Sequence, residues 1–351
     1  MPRTRPPLVD CDIHNELAPG SLDPYLSRRW REHAATFGGR GDGGASYPKG
    51  SRNAARVDAW PPSGLPAGGD LGFMQAQHLD AHDIRFGILN CLTPANREPN
   101  PEFAAALCRA VNEWQVAEWL EKDPRLRAGI VVPYEEPDLA AVEIDRAAAH
   151  PGFVQVLLLV RTDEPLGRRR YRPILEAAVR NGLPVGIHFG GGRGPVTGTG
   201  WPSFYIEDHT AMAQAFQAQV TSLVIEGVFE RLPQLRVVLI EGGFGWLPSL
   251  MWRMDAHWKR LRSEVPHLTK APSEYVREHF WVTTQPIEEP PDPRQLLAVF
   301  DNLGGTGRIM FSTDYPHWDF DDPDRALQVR LPDADRAAIL GGNATALYGL
   351  A

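Results

Sequence analysis

The sequence predicts a (β/α)8 barrel, in which a closed parallel sheet is surrounded by helices. Two observations predict it: eight short apolar segments recur along the chain, and amphipathic helical patterns lie between them. The segments have strand length and are almost continuously apolar, as strands buried on both faces are. They are Leu8–Ile13, Ile84–Asn90, Arg127–Val132, Phe153–Val160, Pro184–His188, Arg236–Glu241, Phe280–Thr284 and Arg308–Thr313. Apolar residues recur every three or four positions in Pro101–Leu120, Tyr171–Asn181 and Phe216–Leu232.

Length and composition support this prediction and restrict the class of protein. The chain has 351 residues, of which 43% are hydrophobic and 23% charged, the balance of an ordinary soluble globular protein. A barrel of this type typically takes about 250 residues, so we expect a single domain over residues 1–351. A net charge of −8 argues against a general nucleic-acid-binding protein, which needs a basic surface.

The lack of a recognisable targeting signal and the usage of cysteine predict a cytoplasmic protein. The N-terminal segment lacks the apolar core of a signal peptide. No run of about 18 apolar residues occurs, so no membrane-spanning helix is expected. The three cysteines have no C-x-x-C spacing and predict neither a disulfide framework nor a zinc knuckle. A reducing cytoplasm fits this usage best.

Two glycine-rich segments are additional to the strands and helices that a minimal barrel needs. Residues 37–70 are rich in glycine and proline and follow the first predicted strand. Active sites of barrels lie at the carboxyl ends of the strands, so an insertion or lid over the site is predicted here. Gly190–Gly200 follows the fifth strand but lacks G-K-[ST] and G-x-G-x-x-G, which excludes a nucleotide site. A C-terminal helix over Gly341–Leu350 is predicted to close the barrel.

Polar residues at the ends of the first, fifth and eighth strands form the candidate site. Period-two alternation places Asp10, Asp12 and His14 on one face of the first strand, so all three are expected at the barrel mouth. His188 ends the fifth strand and Asp314 the eighth, and these strands open onto the same central space. Each residue alone would more often be a satisfied polar group or a helix N-cap. Together, Asp12, His14, His188 and Asp314 predict a site for one divalent metal ion.

Other histidines are distinguished by the end of the barrel at which they lie. His78 and His82 have the spacing of a zincin pair but lack its glutamate. Their helix leads into the second strand at the opposite end of the barrel, so a structural role is expected. His317 follows Asp314 by three residues and is a candidate for substrate binding or acid–base chemistry. His209, beyond the glycine-rich segment after the fifth strand, is a further candidate.

These motifs resemble the amidohydrolase superfamily, and within it the branch of aminocarboxymuconate-semialdehyde decarboxylase and related metal-dependent hydrolases. The resemblance spans nearly the whole chain and rests on Asp12-x-His14, P-V-G-I-H-F-G-G around His188, S-T-D-Y-P-H around Asp314 and the C-terminal G-N-A-T-A-L-Y-G-L. It implies that Asp12, His14 and His188 are ligands and that Asp314 both binds metal and shuttles a proton. Zinc is the default ion, with manganese as a competitor because Asp12 adds an oxygen where histidine or glutamate is usual. By analogy alone, the branch implies a homodimer.

The sixth strand departs from the pattern of this family. The family usually has a histidine there, in a pattern like H-G-G, which assists proton transfer. This chain instead has Glu241-Gly242-Gly243. Glu241 is therefore a candidate general base, an additional metal ligand or a structural acceptor for loop amides.

The residues and the resemblance lead to three functional hypotheses. The first is a hydrolase of a small carboxylated or carbonyl-containing substrate, in which a metal-activated water attacks, Asp314 is the acid and base, and Glu241 or His317 assists. The alternative is a non-oxidative decarboxylase of an aromatic or enoic acid, in which Asp314 delivers a proton to carbon. The absence of the sixth-strand histidine favours the hydrolase, whereas the family resemblance favours the decarboxylase; the hydrolase is the first hypothesis. A third hypothesis, a barrel that has lost catalysis and only binds a ligand, follows from the altered positions Asp12 and Glu241.

Overall fold

The fold consists of one sheet of eight parallel strands that follow one another in chain order. The computed structural model describes residues 6–38, 54–191 and 198–350. The strands are β1 (Leu8–Ile13), β2 (Ile84–Leu89), β3 (Leu126–Val131), β4 (Phe153–Arg161), β5 (Val185–Gly191), β6 (Val237–Ile240), β7 (Phe280–Thr283) and β8 (Ile309–Met310). The predicted (β/α)8 barrel is confirmed.

The sheet closes where the chain after β8 meets β1. Cys11 N donates to Phe311 O at 3.0 Å, and His14 N donates to Tyr315 O at 2.7 Å. Asp314 N donates in return to Asp12 O at 3.0 Å. β8 itself is much shorter than the predicted segment because these later residues bond to β1 individually rather than in a regular ladder. The closing seam therefore runs directly between Asp12 and Asp314.

Helices surround the sheet between successive strands. In the described residues they are α1 (Arg28–Phe37), α2 (Leu71–Met74), α3 (Pro101–Gln115), α4 (Pro137–Ala147), α5 (Arg172–Arg180), α6 (Tyr205–Ala211), α7 (Ala213–Ile225), α8 (Val228–Arg231), α9 (Leu247–Leu261), α10 (Pro272–His279), α11 (Gln295–Leu303), α12 (Asp333–Ala337) and α13 (Asn343–Tyr348). α3 shows how the sequence sets a helix start: Asn100 Oδ1 accepts from Phe103 N at 3.2 Å, and Pro101 occupies the first turn. No helix in the described part of the chain is both long and apolar enough to cross a membrane.

Two apolar clusters hold the barrel together. The larger cluster lies between the strands and the surrounding helices. The smaller one fills the barrel interior with side chains from β1, β2, β4, β6 and β8, including Val9, Cys11 and Met310. Leu347 and Tyr348 of α13 belong to the interior cluster, so the C-terminal helix closes one end of the barrel as predicted. This packing leaves the opposite end, where the strands terminate, open for a site.

Two neighbouring glycines, Gly341 and Gly342, test how the C-terminal segment packs against the start of β1. A Cβ at Gly341 would clash with the backbone oxygen of Pro7 and lie 3.4 Å from Val9 Cγ2. We expect Gly341→Ala to lower the free energy of unfolding by about 1–3 kcal/mol, as overpacked sites do. Gly342→Ala is the matched control, because its Cβ would meet only ordinary contacts, the nearest being Ala337 O at 3.5 Å. Denaturant unfolding should find the control equal to the parent or about 0.4–1 kcal/mol more stable, and equal stability of the two variants would contradict the packing.

Candidate metal centre

A bulge in β1 turns Asp12 toward the barrel axis. Between Asp10 and Ile13, β1 advances three residues while β2 advances two. Because of the extra residue, Cys11 packs in the interior cluster and the next residue, Asp12, also faces the interior. There its Oδ2 lies 3.2 Å from His188 Nε2.

Asp10 lies outside this site, so its predicted position beside Asp12 is wrong. Its fully buried carboxylate accepts hydrogen bonds from Thr313 N at 2.9 Å, Thr313 Oγ1 at 2.5 Å and Asp12 N at 3.2 Å, and lies 2.8 Å from His78 Nε2. Period-two alternation holds only along an unbroken strand, and the bulge shifts its phase by one residue. Asp10 and His78 are thus structural and tie β1 to the segment after β8.

The other four predicted ligands lie together at the ends of β1 and β5 and after β8. One donor atom from each of Asp12, His14, His188 and Asp314 lies within 4.8 Å of all the others. Three of these residues are fully buried and His14 is 3% exposed. The shortest contact joins His14 Nε2 to Asp314 Oδ1 at 2.7 Å. Two imidazoles and two carboxylates are donor types that Zn²⁺ and similar divalent ions accept.

Both imidazoles of this cluster are oriented as metal ligands are. His14 Nδ1 lies 2.7 Å from the backbone oxygen of Asn90, and His188 Nδ1 lies 2.7 Å from the backbone oxygen of Phe189. A carbonyl oxygen can only accept, so each Nδ1 carries the hydrogen and donates. In the neutral ring, Nε2 then has a free lone pair, and both Nε2 atoms point into the cluster. The surrounding residues therefore fit a divalent ion.

The two carboxylates are also held by neighbouring side chains. Asn90 Nδ2 donates to Asp12 Oδ1 at 2.9 Å. His317 Nδ1 lies 2.7 Å from Asp314 Oδ1, and Gln285 Nε2 donates to Asp314 Oδ2 at 3.4 Å. Asp314 has a left-handed backbone with φ of 62°, a conformation that aspartate tolerates better than most residues. Such backbone positions concentrate at functional sites.

The cluster perturbs the protonation of its own members. Burial alone would lower the pKa of His14, but the carboxylates of Asp12 and Asp314 raise it to about 9. Burial would raise the pKa of Asp314, yet the imidazoles of His317 and His14 hold it below its usual range. In the metal-free protein His14 is therefore protonated at neutral pH. A metal ion that binds its Nε2 displaces this proton.

Glu241 lies at the edge of the cluster, immediately after β6. Its backbone is left-handed, with φ of 57°, and its N–H donates to Thr283 Oγ1 at 3.2 Å. The residue is 6% exposed, and its Oε2 lies 3.4 Å from His188 Nε2. Burial, together with the charges of Asp314, Asp319 and other nearby carboxylates, raises the pKa of Glu241 well above its usual range. The sixth-strand position therefore carries a carboxyl group that faces the candidate metal site.

Two further predicted histidines line the mouth of the barrel. The ring of His317 stacks on that of His14, with centroids 4.3 Å apart, and its side chain is 18% exposed. His209 Nε2 lies 3.0 Å from Asp319 Oδ2. His317 thus connects the buried Asp314 to the surface, and His209 forms part of the rim.

The described part of the predicted insertion packs on the same rim. Residues 39–53 lie outside the described residues. Ala55 forms an antiparallel bridge with His317, Arg56 N donates to Pro316 O at 2.9 Å, and Trp318 N donates to Ala54 O at 2.7 Å. The end of the insertion is therefore attached to the loop that carries His317.

Sequence reasoning missed several polar residues of the site. Asn90 had a signal, since it ends the second predicted strand, and Asp319 follows Asp314 by only five residues. Arg161 ends β4, where its Nη2 donates to Asp208 Oδ1 at 2.7 Å and its guanidinium lies over the ring of Phe189. Its Nε is buried without a hydrogen-bond partner among the described residues.

A parallel barrel with histidine and carboxylate donors at the carboxyl ends of its strands defines the class of metal-dependent barrel enzymes. The sequence matches the family described as Amidohydrolase over residues 9–350. The chain therefore belongs to the amidohydrolase family, and the predicted resemblance is confirmed. Within the family it falls in the branch of aminocarboxymuconate-semialdehyde decarboxylase and is an enzyme of the hydrolase or carboxy-lyase type.

Characterised relatives cover most of the chain. Gamma-resorcylate decarboxylase of Rhodococcus jostii (strain RHA1) is 28% identical over 305 residues, 80% of this chain and 88% of that protein. The 2-amino-3-carboxymuconate-6-semialdehyde decarboxylase of Dictyostelium discoideum is 24% identical over 289 residues, 79% of this chain and 76% of that protein. The dihydroxybenzoic acid decarboxylase of Polaromonas sp. JS666, solved with bound manganese and the inhibitor 2-nitroresorcinol, superposes with a TM-score of 0.69 at 23% identity. This superposition covers 99% of this chain and 98% of that structure.

Proposed function

We propose that the protein is a metal-dependent, non-oxidative decarboxylase of a small aromatic or enoic acid. The observation that carries this proposal is the similarity to decarboxylases over about four fifths of the chain. The family match over residues 9–350 includes the metal-site motifs. The sequence alone favoured a hydrolase because the sixth-strand histidine is absent. The relatives support the decarboxylase alternative better than that first hypothesis.

Asp12, His14, His188 and Asp314 would hold one divalent ion, because their donor atoms converge and both imidazoles present Nε2. Zinc is the ion we expect from two nitrogen and two oxygen donors, and manganese, which the Polaromonas enzyme contains, is the competitor. When bound, the ion supplies positive charge that stabilises negative charge on a substrate carboxylate and a neighbouring oxygen.

The remaining chemistry falls to side chains of this chain. In decarboxylation the bond between the carboxyl carbon and its neighbour breaks, carbon dioxide leaves, and the electron pair stays on that neighbouring carbon. This carbon must then take up one proton. Asp314 would deliver it, and the hydrogen bond from the partly exposed His317 to Asp314 Oδ1 is the route by which a proton from solvent reaches Asp314. Glu241 faces the same space and would act as a second proton-holding group.

The barrel mouth fits an anionic substrate of small size. Arg161 places a guanidinium beside Phe189, with its Nε unpartnered among the described residues. A substrate carboxylate or phenolate oxygen could accept this hydrogen bond while its ring packs on Phe189. We propose that residues 37–70 cover the site, since Ala55 is already bridged to His317.

Carbon dioxide release tests this proposal. The protein reconstituted with Zn²⁺ or Mn²⁺ is assayed on hydroxybenzoates and muconate-like acids, and in parallel on lactones, esters and amides. We expect metal-dependent release of carbon dioxide and the matching decarboxylated product from at least one acid. Hydrolysis of a lactone, ester or amide without carbon dioxide release from any acid would restore the hydrolase hypothesis.

A further inference from the structure

We infer that the protein binds a small organic oxyanion, a carboxylate or a phosphate ester with an apolar body, in a cavity at the amino ends of β6, β7 and β8. Its volume is about 450 Å³, a size typical of pockets that hold small molecules. We call it the basal cavity; Arg236, Arg277, Trp281, Gly307 and Arg308 lie on its wall. The candidate metal centre lies at the carboxyl ends of the strands, so the basal cavity is at the opposite end of the barrel. The inference does not depend on the reaction proposed above.

Three arginines from separate elements bring positive charge to the basal cavity. Arg236 directly precedes β6, Arg277 lies on α10 and Arg308 directly precedes β8. Arg236 donates to Leu347 O at 3.1 Å, and Arg277 donates to Asn302 O at 3.2 Å. These acceptors are uncharged, and no aspartate or glutamate is among the described residues that line the cavity. The arginine charges therefore meet no negative charge at the cavity wall.

Arg308 supplies the observation that points to a ligand. Its Nη1 is buried and has no hydrogen-bond partner in the part of the chain that the structure describes. Its guanidinium lies over the ring of Trp281, 4.0 Å from the centroid, and this contact holds it at the cavity wall. A buried guanidinium nitrogen without an acceptor is unfavourable. An oxyanion in the cavity would supply the acceptor, in a charge-assisted hydrogen bond.

The carboxylates outside the cavity do not compensate these arginines. Glu278 attracts Arg308, but burial outweighs this attraction and lowers the pKa of the guanidinium. Glu278 itself pairs with Lys270 Nζ at 2.5 Å. Asp335, near the same end of the barrel, accepts from Thr306 Oγ1 at 3.1 Å. In a chain of net charge −8, the basal cavity is therefore a local region of positive charge, which favours an anion.

The rest of the cavity wall indicates what kind of anion binds. Most of it consists of apolar side chains, including Val276, Phe280, Val282, Leu303, Ile309 and Leu347. A bare inorganic ion would leave this apolar surface uncovered, whereas an apolar body would bury it. There is room for such a body beside the turn after α11, because a Cβ at Gly305 or Gly307 would meet no atom within 4 Å. Gly307 is also exposed, so a ligand can enter from solvent.

Isothermal titration calorimetry of the full-length protein with phenyl phosphate and with benzoate tests this inference. Each anion is titrated into the metal-free protein and into the protein loaded with Zn²⁺ or Mn²⁺. We expect one binding event that is the same in both forms, because the basal cavity is remote from the metal centre. The anion that binds more tightly identifies the head group. Benzyl alcohol, which lacks the charge, and inorganic phosphate, which lacks the apolar body, should both bind more weakly.

Variants of the cavity wall assign this binding event to the basal cavity. Arg308→Gln and Arg277→Gln should each weaken it about tenfold or more, since each removes a charge-assisted hydrogen bond to the anion. Arg253→Gln, at an exposed position on α9, is the matched control and should bind as the parent does. Unfolding curves recorded without ligand establish that each variant is folded.

Four outcomes would overturn the inference. Equal affinity in the parent and in both cavity variants would place the anion elsewhere. Neither anion binding at millimolar concentration would exclude the site. Benzyl alcohol binding as tightly as the anions would exclude recognition of charge, and inorganic phosphate binding as tightly as phenyl phosphate would exclude the apolar body. None of these outcomes affects the proposed decarboxylation, which the release of carbon dioxide tests separately.

Discussion

Asp314→Asn is expected to lower kcat by about 10²- to 10⁴-fold, the usual contribution of a positioned acid–base group. Asp314 Oδ1 faces both His14 Nε2 and His317 Nδ1, so this carboxylate would join the proposed metal site to the proposed route of the proton. Asparagine keeps the shape and tolerates the left-handed backbone at φ of 62°, so the protein should still fold. The asparagine side chain, however, carries neither the negative charge of the carboxylate nor the proton that it would transfer.

The measurement is kcat at saturating metal, on the acid found to release carbon dioxide, together with metal content and an unfolding curve. Asp301→Asn, an exposed position on α11, is the matched control and should leave all three unchanged. A variant of Asp314 that keeps full activity and full metal content would exclude this residue from both roles. Loss of metal with full activity after metal is restored would leave it a ligand only.

Asp10→Ala is expected to lower the free energy of unfolding by about 3–5 kcal/mol, as removal of one partner from a buried charged network does. The carboxylate accepts from the backbone N–H of Asp12 and from both donors of Thr313, and contacts His78 Nε2. Alanine would leave all these donors buried without an acceptor. The Asp10 carboxylate bonds to the backbone of Asp12 and to that of Thr313, the residue before Asp314. Its loss should therefore also displace Asp12 and Asp314 and lower the affinity for metal.

Denaturant unfolding of the metal-free protein measures this effect apart from metal binding. Asp301→Ala is the matched control, and surface changes of this kind usually stay within about 0.5 kcal/mol. A loss below about 1 kcal/mol for Asp10→Ala would contradict the structural role of this network. Asp10→Asn, which keeps one acceptor oxygen, should fall between the parent and the alanine variant.

The strands could be predicted from the sequence because a parallel barrel buries both faces of every strand. Each segment is therefore apolar throughout, and that signal is local. That His14, His188 and Asp314 lie together could be predicted for a related reason. Polar residues directly after such segments fall at the carboxyl ends of the strands, and in a barrel all these ends meet.

Asp10 shows where local reasoning stops. Whether a residue faces the interior depends on the pairing of β1 with β2, and the bulge in that pairing carries no local pattern in the sequence. Asn90, Gln285 and Asp319 were missed because their roles come from contacts with residues far along the chain. Glu241 could be located after the sixth strand, but its burial and its contact with His188 could not.

The sequence by itself determined the barrel, the order of its strands and the donor types at three strand ends. These features follow from local apolar segments and from the polar residues directly after them. Only the tertiary structure decided that Asp12 and not Asp10 faces the site and that His317 touches Asp314. It alone also placed His209, Glu241 and Asp319 together. The physical reason is that side-chain direction and proximity depend on strand register and on closure of the barrel, which join residues as much as 303 positions apart.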